Sequence, residues 1–130
     1  MPTASGKVRL RIVGGLLGHW ACWTQTAVRL LAECQKAWAA DVVPAQLLTR
    51  AAEVMDCNAA FFDAANNFVG CIPGIHEVLR RQGLMSSTVC LNPHVQLSPG
   101  QIEEIDRVCA AYPHLNDNDF VQSNIDHWLA

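Results

Sequence analysis

Positive charge is scarce. Lysine and arginine together number nine in 130 residues, against twelve aspartates and glutamates, and the net charge is −3. The longest basic run is Arg80-Arg81, and lysine occurs only at Lys7 and Lys36. Nucleic acid and anionic membrane surfaces require a clustered basic footprint, so both are excluded as expected partners. Long apolar runs are missing too. The longest, Ile12 to Trp23, is broken by glycines and His19 and falls short of the roughly 20 residues that span a bilayer. Residues 1–11 lack the charged-then-apolar order and small-residue cleavage site of a secretory signal, which makes a cytoplasmic protein the expectation. Tyrosine is represented once, by Tyr112.

Apolar side chains are plentiful. They make up 51% of the chain while charged residues make up 16%, a balance that implies deep burial or an apolar face awaiting a partner. The length suits one domain with a real core. Six cysteines, Cys22, Cys34, Cys57, Cys71, Cys90 and Cys109, are spread among aliphatic neighbours. That pattern reads as free thiols acting as small hydrophobes in a reducing compartment, with no disulfide framework.

Along the chain, residues 1–6 are turn-forming. Val8, Leu10 and Ile12 alternate with Arg9 and Arg11, the period of a short half-exposed strand. Gly14-Gly15 interrupts it, and Leu16 to Trp20 fits either a fully buried strand or a loop. From Thr24 onward the period becomes helical. Thr24 serves as N-cap for a helix to about Ala40 with Ala27, Val28, Leu31, Cys34 and Trp38 on its apolar face. Pro44 opens a second helix carrying Leu47, Leu48, Ala51, Val54, Met55, Asn58, Ala59 and Phe62. Pro73 opens a third, with Ile75, Val78 and Leu79, closed by a left-handed cap at Gly83-Leu84. Residues 85–97 read as an extended surface loop around Asn92-Pro93. Ser98-Pro99-Gly100-Gln101 has the form of a capping box before Ile102, Ile105, Cys109 and Tyr112. Asp117 caps a fifth helix bearing Phe120, Val121, Ile125, Trp128 and Leu129.

Few groupings offer chemistry. His19 with Cys22, Cys71 with His76 and Cys90 with His94 are the close pairs, and none makes a structural zinc signature. No G-x-S-x-G elbow is present, and Cys57 and Cys109 fall on apolar faces where burial disables a thiol. Asp56 and Asp63 stand two turns apart, too far for shared acid–base work. Glu77 pairs at four-residue spacing with Arg81, with Arg80 nearby. That is either a local salt bridge or an arginine reaching a substrate carboxylate or a second subunit.

The order of these segments resembles the C-terminal part of the dihydrodipicolinate synthase and N-acetylneuraminate lyase family. Gly15-Leu16-Leu17-Gly18 looks like the last barrel strand, Thr24 to Ala40 like the eighth barrel helix, and Pro44 to Ala65 like the helix after it. Ile72-Pro73-Gly74-Ile75-His76-Glu77-Val78-Leu79-Arg80-Arg81-Gln82-Gly83-Leu84 is similar to the family's proline-led helix with its G-L ending. Leu97-Ser98-Pro99-Gly100-Gln101 looks like the loop and capped helix that follow. Gly18 stands where the family often has serine, and Cys22-Trp23 where an asparagine is common.

The resemblance implies a mostly α fold: a C-terminal fragment of an α/β TIM barrel with one or two strands, followed by about five helices. Residues 1–13 would be a tail with a short strand, 14–40 the last strand and barrel helix, and 41–130 the helical region. The implied parent chemistry is a Schiff-base lyase, aldolase or hydro-lyase acting on a 2-oxo acid such as pyruvate. It uses no cofactor and no metal, in a homo-oligomer. Gly15, Gly18 and His19 would then stand at the substrate-pocket mouth. The family's Schiff-base lysine and catalytic tyrosine have no counterpart here, because Lys7, Lys36 and Tyr112 do not fall at strand ends, where a barrel places its catalytic groups. The chain by itself is therefore expected to be inactive. A free-standing helical interaction module is the alternative expectation, and a thiol or zinc enzyme a third.

Overall fold

The computed structural model describes residues 2–3, 6–7, 13–15 and 18–130. Near the start, β1 (Pro2–Thr3) and β2 (Gly6–Lys7) pair antiparallel, Pro2 opposite Lys7. Five helices follow: α1 (Thr24–Ala39), α2 (Ala45–Phe61), α3 (Cys71–Arg81), α4 (Gln101–Ala111) and α5 (Asn118–Trp128). Each segment with helical spacing thus became a helix, and residues 85–97 became the extended connection their composition suggests. The strand expected on Val8, Leu10 and Ile12 lies outside the described residues, as do Leu16 and Leu17.

The strand reading of the glycine-spaced stretch needs correction where it can be followed. Gly18–Ala21 forms a turn of 3-10 helix, and among the described residues β1 and β2 form the one sheet. The reason is local. Gly18 takes φ +57° and Trp23 φ +51°, left-handed conformations that turn the chain where a strand would extend it. For tryptophan this conformation costs on the order of 1–2 kcal/mol. Burial of its ring to 3% exposure, edge-on to Phe61 with centroids 4.9 Å apart, offsets that cost, since a fully buried large apolar side chain contributes about 1.5–3 kcal/mol.

The core gathers around that pair. Cys22, Trp23, Cys57, Ala60, Phe61, Val78, Ile105, Val108 and Leu115 are buried together, so α2, α3 and α4 meet at the C-terminal half of α2. The buried face of α2 is Cys57, Ala60 and Phe61, rotated from the stripe its periodicity suggests. Leu48 and Met55, both on that stripe, are 67% and 71% exposed. In α1 the one buried residue is Ala27, while Val28 is 52% exposed.

Helix ends explain the path between elements. Gly83, at φ +80°, closes α3. Its N–H donates to Arg80 O and that of Leu84 to Leu79 O, both at 3.0 Å, the paired bonds of a Schellman cap. Pro73 sits inside the first turn of α3, where a missing N–H costs nothing.

Candidate functional site

Of the three residues expected at a pocket mouth, Gly15 and His19 contact neighbours, while Gly18 is exposed. Gly15 lies against the Trp20 ring, so that a Cβ there would stand 2.3 Å from the indole nitrogen. Gly18 supplies the left-handed turn. His19 is half-buried, and its Nδ1 meets Asn58 Oδ1 on α2 at 3.2 Å. Burial pushes this imidazole below its ordinary pKa, with the Asn58 hydrogen bond opposing. His19 and Trp23 therefore fasten the glycine stretch to α2.

The most enclosed polar cluster joins three helix ends. Asp63, just past α2, takes φ +58° and is 3% exposed. Its carboxylate accepts from Asn66 Nδ2 at 2.7 Å, Gly70 N at 2.8 Å and Ser98 Oγ. Burial opposes its ionisation, but these three donors outweigh it and hold the carboxyl below the usual aspartate range. Gln101, equally buried, accepts the Ser98 N–H at 3.1 Å and donates from Nε2 to Gly70 O at 2.9 Å. Ser98 and Gln101 thus supply one half of the expected capping box, while the Ser98 hydroxyl turns to Asp63. Gly70 and Gly74 leave room for this cluster. A Cβ at Gly70 would stand 2.1 Å from Gln101 Oε1, and one at Gly74 2.1 Å from the Phe61 carbonyl oxygen.

Asp117 is a second buried junction. It stands at the N-cap of α5 yet makes no side-chain bond to that helix, contrary to expectation. Its Oδ2 accepts from Gln25 N at 2.9 Å, which caps α1, and its Oδ1 accepts from Gln82 Nε2 at 2.8 Å. One carboxylate ties α1 to the end of α3.

Charged groups complete the frame. Both arginines of the Arg80-Arg81 pair bind the buried Glu77, at 2.7 and 2.8 Å, and Arg81 also reaches Asp106 on α4 at 2.6 Å. These contacts fit the local salt-bridge reading. Asp56 holds Arg107 through two 2.8 Å contacts and accepts from the Tyr112 hydroxyl at 2.8 Å. The Arg107 hydrogen bond lowers the Asp56 carboxyl to about 2, and the Asp56 bond raises the Tyr112 phenol. Asp56 and Asp63 line the same cleft of about 380 Å³ between α2 and α4, each committed to its own partners.

The six cysteines are free thiols. Burial pushes Cys22 and Cys57 up to about 12 and raises Cys71 and Cys109, which favours the protonated thiol at all four. Among the described residues no three His, Cys, Asp or Glu side chains gather as a metal site. Sequence proximity had paired Cys90 with His94, but folding sets Cys90 Sγ 3.9 Å from Nδ1 of His76 instead. Fourteen residues and a surface loop separate the two in sequence, so no short motif announces the pair.

Among the described residues no helix is long and apolar enough to cross a membrane. No protein family model, curated protein or solved structure matches the chain.

Proposed function

We propose that this chain is the C-terminal helical region of a 2-oxo-acid lyase of the dihydrodipicolinate synthase and N-acetylneuraminate lyase type, bracing a barrel and supplying no catalytic group. One observation carries the reading: α1 and α2 each leave apolar side chains uncovered. Val28 on α1 and Leu48 and Met55 on α2 are each more than half exposed. Between the two helices an apolar cleft of about 420 Å³ is lined by Ala37, Val42, Pro44 and Leu47. Exposed stripes of this kind mark a contact surface, and an outer helix of a barrel uses such a face to pack on the sheet. Lys36 lines the same cleft from the exposed side of α1.

The test pairs the purified chain with a family lyase barrel deprived of its own C-terminal helices, then traps the pyruvate imine with borohydride. The expected result is an adduct on the barrel lysine that depends on added chain, with Lys7 and Lys36 unmodified. A barrel indifferent to the chain, or an adduct on Lys7 or Lys36, overturns the proposal. The alternative, a free-standing interaction module, draws on the burial of Cys22 and Trp23 in the bundle core. It is the reading favoured if the chain ignores the barrel yet melts cooperatively as a monomer.

A further inference from the structure

We infer that Cys90 and His76 form a thiol-exchange site, at which Cys90 takes up a small disulfide bearing an apolar substituent. Three observations converge on it. Cys90 Sγ lies 3.9 Å from His76 Nδ1, near enough for the imidazole to receive the thiol proton with little movement. The Thr88 carbonyl oxygen accepts from the Cys90 thiol at 3.6 Å and lies 3.4 Å from His76 Nδ1. A ring that has gained the proton can donate it to this oxygen as well as to the sulfur, which keeps the imidazolium beside Cys90. The third observation is space. Cys90 lies on the wall shared by two clefts, one of about 320 Å³ with Ile72, Leu91 and Val95 around it, the other of about 440 Å³ on the far side of the loop.

This placement separates Cys90 from its fellows. Burial shifts four of the other five thiols toward the protonated form, and the fifth, Cys34, is exposed on α1. Cys90 combines access with a base.

The step balances as an exchange. The Cys90 thiol gives its proton to His76, its sulfur attacks one sulfur of the incoming disulfide, and the disulfide bond breaks. The departing thiolate then takes the proton back from His76 and leaves as a thiol. A mixed disulfide remains on Cys90, one disulfide having been exchanged for another with no external oxidant. The Ile72, Leu91 and Val95 side chains offer an apolar substituent contact area that a charged one would not use.

Dipyridyl disulfide, a neutral aromatic probe, tests the site on the full chain, with the modified residue identified by peptide mass mapping. We expect Cys90 to react at least about tenfold faster than Cys34, the scale on which a neighbouring base distinguishes thiols. His76→Asn should bring the Cys90 rate down to that of Cys34 while leaving Cys34 and the far-ultraviolet circular dichroism unchanged. A second probe, the negatively charged nitrobenzoate disulfide, should lose the advantage at Cys90. Equal rates at Cys90 and Cys34, or a fast Cys90 unaffected by His76→Asn, would overturn the inference. If His76→Asn unfolds the chain, the ratio of the two probes at Cys90 and Cys34 in the wild type decides, and equal ratios at both thiols count against the site.

Discussion

Gly74 shows how tightly single residues are constrained around the buried Asp63–Gln101 cluster. Gly74→Ala would set a methyl 2.1 Å from the Phe61 carbonyl oxygen, which belongs to backbone and cannot swing aside. The expected cost is about 3 kcal/mol, the upper end for overpacking, read as a lowered denaturant midpoint. Gly14→Ala meets nothing within 4 Å and should stay within about 0.5 kcal/mol of wild type. Titration offers a second test. Burial lowers the His19 pKa, so the unfolded chain binds that proton more readily. The His19 contribution is therefore complete above the ordinary histidine value of about 6.5 and is lost as pH falls through the lower folded value. Asp56, lowered to about 2 by Arg107, works the same way further down, its contribution complete above the ordinary aspartate value of about 3.9 and lost toward its folded value. Thermal melts from neutral pH downward should show both declines, with His19→Gln flattening the upper one and Asp56→Asn the lower.

At the scale of elements, α1 depends on a residue far away in sequence. Asp117→Ala removes the acceptor for Gln25 N and for one Gln82 Nε2 bond. A loss of about 1–2 kcal/mol is expected, typical of an N-cap, together with faster amide exchange at Gln25. Unchanged exchange there would show that α1 is held by other means. This dependence marks the limit of what local sequence reveals. Helix positions were legible because period, proline and glycine act within a few residues, as at Pro73 and Gly83. The destination of the Asp117 carboxylate was not, since its local pattern is that of an ordinary cap for α5. The buried face of α2 was misjudged for a related reason. Leu48 and Met55 carry larger apolar side chains than Cys57 and Ala60, yet the latter pair lies on the side of the helix end that packs into the core. Ser98-Pro99-Gly100-Gln101 announced a helix start, but that Ser98 would bind Asp63 required the tertiary fold. Gly18 and His19 were expected at a pocket mouth; in the fold Gly18 makes an exposed left-handed turn and His19 meets Asn58.

For the whole molecule, the exposed apolar residues of α1 and α2 are the faces that the proposed barrel strands would cover. In their absence these faces favour self-association, so sedimentation should show a concentration-dependent mass that Val28→Asp combined with Leu48→Asp reduces. Both positions are more than half exposed, and the double variant should keep its own stability within about 1 kcal/mol, the sum of two ordinary surface changes. The same variant tests the central claim when it is offered to a lyase barrel lacking its C-terminal helices, with borohydride-trapped pyruvate on the barrel lysine as the measurement. The account predicts that wild-type chain restores the adduct and that the folded Val28→Asp, Leu48→Asp chain does not. Equal labelling with wild type, variant and no chain at all would contradict it.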